Sequence, residues 1–200
     1  MNVRRVVAAL AAVLAGCSDN GPSNRAGSVS FGYTGGPRSP YSATGAMPLA
    51  EEAADNSSWA VGLHDPEQGT LIFSQRVNAG GIKDIVFIGV DRLTTGTSDI
   101  ATDNCTESVC AGMALLLDGG SGALCSLADG SVSVTEVSSS RMKGEFSGTG
   151  YCLVLSENPD SPSPDSLAFT ATAGTFDVFL QVDQILGARR SAAFRLPRSP

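Results

Sequence analysis

The stretch Ser131-Val-Ser-Val-Thr-Glu-Val137, together with the run from Arg141 to Leu155, decides the fold of this 200-residue chain. Apolar and small polar residues alternate along it, which is the period of a half-buried β-strand. Ser138 and Ser139 lie between the two runs and predict a turn. The sequence therefore predicts two antiparallel strands here, each with one face in a core.

Runs of the same kind recur along the rest of the chain. We predict further strands over 27–34, 41–46, 59–63, 70–77, 83–90, 113–117, 123–127, 167–172 and 174–182. The apolar run Ile85–Ile88 predicts a strand buried on both faces, and Asp129-Gly130 predicts a hairpin turn. About ten short strands with no amphipathic helix indicate an all-β protein, an antiparallel β-sandwich. A lipocalin-like β-barrel is the alternative.

Four cysteines follow the first fifty residues, namely Cys105, Cys110, Cys125 and Cys152. In an exported protein they predict two disulfides with three possible connectivities. A hairpin that turns at 138 and 139 pairs residues whose numbers sum to 277, as those of Cys125 and Cys152 do. The predicted turn at Asp129-Gly130 would interrupt that ladder, so the sum argues only for proximity. We favour Cys105–Cys110 with Cys125–Cys152 and leave the other two pairings open.

A short repeat suggests internal symmetry. Gly27-Ser-Val-Ser and Gly130-Ser-Val-Ser are identical, and each first glycine is followed eighteen residues later by another, Gly45 or Gly148. Both stretches are predicted hairpins. A duplicated unit and a chance match in a glycine- and serine-rich chain are the two interpretations.

The N-terminal segment has the features of an export signal. Arg4 and Arg5 precede an apolar run that is too short to span a bilayer. The run ends in Leu14-Ala15-Gly16-Cys17, which resembles the lipobox of bacterial lipoproteins. The resemblance implies cleavage before Cys17 and attachment of lipid to its thiol and new amine. Because Ser18, and not an aspartate, follows the cysteine, the resemblance also favours the outer membrane of the cell envelope.

This interpretation divides the chain into four parts: a signal peptide at 1–16, a lipidated flexible tether at 17–26, a single all-β domain at 27–186 and a flexible tail at 187–200. Within the domain, three segments resemble a pattern in uncharacterised all-β envelope lipoproteins of environmental bacteria. They are Gly130-x-Val-x-Val-Thr, Gly144-x-Phe-Ser-Gly and Gly174-x-Phe-Asp-Val. That resemblance implies a fold and no activity.

The charge of the chain limits its partners. The formal net charge is −7, and loss of Arg4 and Arg5 with the signal peptide leaves eleven basic against twenty acidic residues, a charge of −9. Such a surface repels phosphate backbones, so we expect no nucleic-acid binding. Membrane attachment would depend on the acyl chains at Cys17. We expect the remaining partner to be an envelope protein or a ligand.

No arrangement of residues predicts catalysis. His64 is the only histidine, stands beside Asp65 in a predicted turn, and has no Gly-x-Ser-x-Gly motif to serve. Glu136 and Glu145 lie on adjoining predicted strands, where neighbouring acids are common.

Metal sites are equally poorly indicated. Asp99, Asp103 and Glu107 lie in a predicted loop without the spacing of a calcium-binding loop. The cysteines have no Cys-x-x-Cys pair for zinc. We therefore expect no metal and no cofactor.

Three functional hypotheses follow from location and composition. The first is a lipid-anchored, non-enzymatic binding or interaction module of the cell envelope. The second is a carrier of a lipophilic small molecule inside a barrel cavity. The third is a hydrolase that uses His64 or paired acids.

Overall fold

The computed structural model describes residues 25–36, 38–48, 55–65, 69–91, 93–100, 110–117, 122–154 and 166–182. These residues form ten strands and one short 3₁₀ turn at Ala79–Gly81. The strands are β1 (Gly27–Thr34), β2 (Tyr41–Gly45), β3 (Trp59–Asp65), β4 (Gly69–Val77), β5 (Lys83–Val90), β6 (Gly96–Ile100), β7 (Cys110–Leu117), β8 (Ala123–Val137), β9 (Arg141–Val154) and β10 (Ser166–Val182). The prediction of an all-β protein with about ten strands is confirmed.

The ten strands form one sheet, and seven of them close into a ring through the pairings β10-β3-β4-β5-β7-β8-β9-β10. β6 pairs with parts of β7 and β8, and β1 and β2 extend from β10. The order of the sheet is β2-β1-β10-β3-β4-β5-β7-β6-β8-β9, and β10 also pairs with β9 and β7 with β8. One edge of β10 is shared by β1 over Thr170–Asp177 and by β3 over Leu180–Val182. Most pairs are antiparallel as predicted, but β3 with β10 and β6 with β7 are parallel. The sheet is therefore mixed.

One continuous hydrophobic core lies inside the ring. The inward positions follow the period of two: β5, for example, alternates between half-buried and buried residues along its whole length. The core includes aromatic contacts of Phe31 with Tyr41, Tyr33 and Phe146, with ring centroids 5.2, 5.6 and 5.3 Å apart. All ten strands contribute residues to this cluster. The inward side chains of the described strands thus belong to one cluster.

Two predicted interruptions are bulges inside long strands. Asp129 and Gly130 do not form a hairpin turn but lie within the 15-residue strand β8, where the register with β9 shifts between Leu127 and Asp129. Gly130 has a φ of 135°, and an added Cβ would lie 2.2 Å from the carbonyl oxygen of Ser147. The prediction of a turn was wrong because a glycine with positive φ serves a bulge as well as a turn.

The second interruption is at Ala173, between the two predicted closing strands. They form one 17-residue strand, β10, whose register shifts at this point against both β1 and β9. A third departure from prediction is β6, which lies inside the segment predicted as a loop. Its few apolar side chains give a weak signal, but β7 and β8 each pair with part of it.

The two glycine-serine repeats are hairpins with equivalent pairing. Gly27 is the register partner of Gly45 in β1–β2, and Gly130 is the register partner of Gly148 in β8–β9. The eighteen-residue spacing therefore marks the same pairing distance in both hairpins. This is a local similarity, and it agrees with either interpretation of the repeat.

Cys125 and Cys152 form a disulfide, as favoured. They are register partners on β8 and β9 and are buried, at 0% and 1% exposure. Near the turn, the residue numbers of paired residues sum to 279, as for Val137 and Met142. Each of the two bulges in β8 adds one unpaired residue to that strand, so the sum falls to 277 at Cys125 and Cys152. The disulfide links residues that are 27 positions apart. Closing a loop of this length in the unfolded chain raises the free energy of unfolding by about 3.5 kcal/mol on the chain-entropy model.

Several predicted features lie outside the described residues. They are the signal peptide, Cys17 and most of the tether, Cys105, and the tail at 187–200. Cys110 begins β7, but the description covers its backbone alone, so its pairing with Cys105 stays a prediction. In the described ranges no helix is long and apolar enough to cross a membrane.

Inward glycines of β9 provide a test of the packing. A Cβ on Gly144 would lie 2.3 Å from both the Phe176 ring and the carbonyl oxygen of Ser133, whereas one on Gly112 would meet nothing within 4 Å. We expect Gly144→Ala to lower the free energy of unfolding by about 1–3 kcal/mol, because the core has no room. The matched control Gly112→Ala should change it by less than about 0.5 kcal/mol. Urea denaturation measures both values, and equal effects would contradict this account of the core.

Candidate functional site

The outer surface of the ring has two faces of opposite character. Residues that point away from the core on β3, β4, β5 and β7 carry almost no charge. Those on β2, β1, β10, β9, β8 and β6 are mainly serine, threonine and charged residues. Since the core demands only that inward positions be apolar, this difference between the outward positions is not required by folding.

The apolar face is formed by neighbouring rows of outward side chains. The cross-strand partners are Leu63–Leu71–Gly89–Gly112, Val61–Phe73–Phe87–Ala114 and Trp59–Gln75–Ile85–Leu116. Trp59, Val61 and Phe73 are buried in a second hydrophobic cluster with Met47, and Gln75 donates to the Ser57 carbonyl oxygen. Phe87, Ala114 and Leu116 are only half-buried, and Leu71 is 36% exposed. The residues around Met47 and Ser57 therefore cover one part of this face, and the other part is accessible.

The accessible part continues onto β8 and β9. Leu116 pairs with Leu124, and Leu124 with Leu153. Leu124 is 41% exposed and Tyr151 is 43% exposed. Gly89 and Gly112 add bare backbone, since a Cβ on either would meet nothing within 4 Å. The result is an apolar surface with open space above the two glycines.

The polar face is built from hydroxyl side chains. One row of register partners crosses six strands: Ser42, Ser30, Thr175, Glu145, Ser133 and Thr97. The Ser30 and Thr175 hydroxyls lie 3.0 Å apart, as do those of Thr97 and Ser133. These two hydrogen bonds fix the hydroxyl groups on either side of Glu145.

A trough of about 350 Å³ lies in the middle of this face. Its lining residues are Ser131, Ser133, Glu145, Phe146, Ser147, Ala173, Gly174 and Thr175. Ala173 is the bulge residue of β10 and has a φ of 50°. A non-glycine residue pays about 1–2 kcal/mol for that conformation, and strained backbone of this kind is concentrated at functional sites.

A buried ionic cluster closes one end of the ring. Asp84, fully buried on β5, accepts from Arg38 Nη2 at 2.6 Å, Arg76 Nη2 at 2.7 Å and Asn78 Nδ2 at 2.7 Å. Arg76 also donates to the carbonyl oxygens of Arg38 and Pro40. The cluster therefore fastens the β1–β2 connection to β4 and β5.

Aromatic residues complete the cluster. The Arg76 guanidinium lies 4.9 Å from the centroid of the Tyr41 ring, and the Tyr41 hydroxyl is 2.9 Å from that of Ser74. Burial raises the pKa of both Tyr41 and Tyr33. Burial also raises the pKa of Asp84, but the hydrogen bonds from Arg38, Arg76 and Asn78 outweigh it, so that pKa lies below its ordinary value of 3.8. Asp84 is a stable anion with a structural role.

The residues considered for catalysis are not brought together. His64 is on β3, half-buried, with its Nδ1 3.0 Å from the Thr70 hydroxyl. Glu136 accepts from Lys143 at 2.7 Å, and that hydrogen bond raises the pKa of Lys143. Glu145 pairs in register with Ser133 and Thr175 and not with a second acid.

The predicted loop acids are placed in part. Asp99 lies on β6 beside Ser131, whereas Asp103 and Glu107 lie outside the described residues. Across the described ranges, no three histidine, cysteine or acidic side chains form a group that could hold a metal ion.

Sequence analysis missed the ionic cluster, although one signal was present. Asp84 is separated from Val86, Ile88 and Val90 by even numbers of positions. In an alternating strand it therefore lies on the same side as these residues, facing the core. The continuous apolar run Ile85–Ile88 instead predicted a strand buried on both faces. That prediction did not distinguish the core side of β5 from its outer side. The two arginines are far from Asp84 in sequence, and only the fold shows the contact.

Comparison of the chain with family models, with characterised proteins and with solved structures found no match.

The ionic cluster predicts a pH-dependent stability. Asp84→Asn leaves the guanidinium groups of Arg38 and Arg76, whose side chains are 26% and 12% exposed, without their buried anion. We expect a loss of about 3 kcal/mol in unfolding free energy at pH 7, the lower end of the range for a fully buried pair. Because the folded-state pKa of Asp84 is depressed, its contribution is complete above the ordinary pKa and is lost as pH falls through the folded-state value. The gap between wild type and variant should therefore narrow only below about pH 4.

The matched control is Asp177→Asn, which breaks the half-exposed ion pair with Arg141 and should cost about 0–1 kcal/mol. Urea titrations from pH 2 to pH 7 measure both variants. A gap below 1 kcal/mol for Asp84→Asn, or one that persists unchanged at the lowest pH, would contradict this role.

Proposed function

We propose that this protein is a lipid-anchored, non-enzymatic interaction module of the cell envelope, attached through Cys17 and facing another envelope protein. The observation that carries the proposal is the accessible part of the apolar face, centred on Phe87, Ala114 and Leu116. Extended apolar patches on a folded protein mark interaction surfaces, because water contact with them is unfavourable. Leu71, Leu124 and Tyr151 extend the patch beyond single scattered residues.

The form of the patch indicates the kind of partner. A Cβ on Gly89 or Gly112 would meet nothing within 4 Å, so an aromatic or branched apolar side chain of a partner can approach the backbone there. Buried anchors of this kind dominate the affinity of protein interfaces. None of the three cross-strand rows of the apolar face contains a charged residue. This favours a partner whose surface is also uncharged.

The alternative carrier hypothesis receives no comparable support. It requires a cavity inside the ring, whereas the inward side chains described here form one packed cluster. The same applies to the hydrolase hypothesis, since His64 and the paired acids are separated as described above. The interaction module is therefore the function that the described geometry favours.

The anchor can be tested by mass and fractionation. Wild-type protein expressed in a Gram-negative bacterium should have an intact mass that begins at Cys17 with three acyl chains, and it should fractionate with the outer membrane. Cys17→Ser should abolish the lipid mass and leave the protein unprocessed. An intact mass that begins at Met1 without lipid would overturn the anchoring proposal.

The interface can be tested by site-specific photo-crosslinking in intact cells. A photoreactive amino acid at Leu71 or Leu124 should give an adduct with one defined envelope protein, because both side chains border the accessible apolar face. The matched control places it at Thr44, which is exposed on β2 and belongs to the polar face. Equal adduct yields from Thr44, or none from Leu71 and Leu124, would contradict the assigned interface.

A further inference from the structure

We infer that the trough around Ala173 is a binding site for a neutral, linear polysaccharide. The site lies on the polar face and does not depend on the apolar interface proposed above. Five of its eight lining residues carry a hydroxyl or a carboxylate, and none is basic. A mixture of hydroxyls, which donate and accept, with one acceptor carboxylate complements the adjacent hydroxyl groups of a sugar.

The bulge in β10 gives the trough its form. Ala173 and Gly174 place small residues between the hydroxyls of Thr175 and Ser147, so the floor of the trough is low. Phe146 lies beneath the floor, where it is 3% exposed and packs against Phe31 in the core. The contacts that the trough offers to a sugar are therefore its hydroxyl groups and the Glu145 carboxylate.

The hydroxyl row sets the direction of the ligand. Ser30, Thr175, Glu145, Ser133 and Thr97 lie on five adjacent strands. With strands about 4.8 Å apart, this row spans about 19 Å. The hydrogen bonds of Ser30 with Thr175 and of Thr97 with Ser133 orient hydroxyls that still have capacity for another bond. A chain of sugars that lies across the strands can contact the whole row.

Charge and pairing exclude other polymers at this site. Glu145 and the acidic surface repel an anionic chain. A peptide that binds by strand addition needs an unpaired sheet edge, but β8, β9 and β10 have partners on both sides over the trough. The basic side chains of β9, Lys143 and Arg141, are paired with Glu136 and Asp177. A neutral polysaccharide meets none of these penalties.

Affinity electrophoresis of the full-length protein tests this inference. The probes are native gels that contain a soluble, linear and neutral α-glucan, β-glucan or glucomannan, with polygalacturonate as the anionic comparison. Because the trough is open and shallow, we expect weak binding, with Kd of about 1 mM for short oligosaccharides and clear retardation by one of the long neutral polymers. Polygalacturonate should cause no retardation.

Two variants and one matched control locate the binding. Ser147→Arg fills the trough, and Glu145→Gln removes its carboxylate; each should weaken retardation at least tenfold. Thr149→Arg adds the same side chain one outward position along β9, outside the trough, and should bind as wild type does. Circular dichroism confirms that all three are folded. Failure of every neutral polymer to retard the wild type, or equal retardation of Ser147→Arg and Thr149→Arg, would overturn the assignment.

Discussion

The structure depends on the register between β8 and β9, because each side chain of these two strands faces the core or the solvent according to that register. A slip of one residue would turn Val132 and Val134 outward and the serines between them inward. The disulfide between Cys125 and Cys152 prevents that slip at one end of the hairpin. The two bulges of β8 are needed for this disulfide. Without them, the register set by the β8–β9 turn would not place Cys125 opposite Cys152.

Bulges also explain how one long hairpin serves two surfaces. Strands twist more strongly at a bulge, and the outer surface of β9 changes character along its length. Lys143, Glu145 and Ser147 belong to the polar face, whereas Tyr151 and Leu153 continue the apolar face. The change occurs beyond the bulge near Asp129 and Gly130. The same strand therefore contributes to the hydroxyl trough at one end and to the apolar surface at the other.

The sequence predicted the parts of the fold that depend on local pattern. Alternation predicted nearly all strands, and hairpin arithmetic placed Cys125 near Cys152, since both are properties of neighbouring segments. The predictions at Asp129-Gly130 and at Ala173 were wrong, because the same residue types occur in turns and in bulges. Only the pairing with the neighbouring strand shows that the chain continues as one strand at these positions. Sequence analysis also missed the contact of Asp84 with Arg38 and Arg76, which depends on strands far apart in the chain. The two outer faces were not foreseen because they require the strand order of the whole ring.

The position of the first described residues relates the two faces to the proposed anchor. Arg25 packs over the Phe179 ring at 5.6 Å, and Arg141 donates to the Ala26 carbonyl oxygen, so β1 begins beside the β8–β9 turn. From Arg141 to Leu153, β9 extends about 40 Å. If Cys17 carries lipid, the turn of this hairpin is the end nearest the tether, and Leu124, Tyr151 and Leu153 lie at the distant end. In that orientation the part of the apolar surface formed by Leu124, Tyr151 and Leu153 lies away from the attachment point. Leu71 lies nearer to it, because its partner Leu63 is in register with Gln181, and the neighbouring Leu180 N–H donates to the Ser140 carbonyl oxygen in the β8–β9 turn. The apolar surface therefore extends from the anchored end of the domain to the free end.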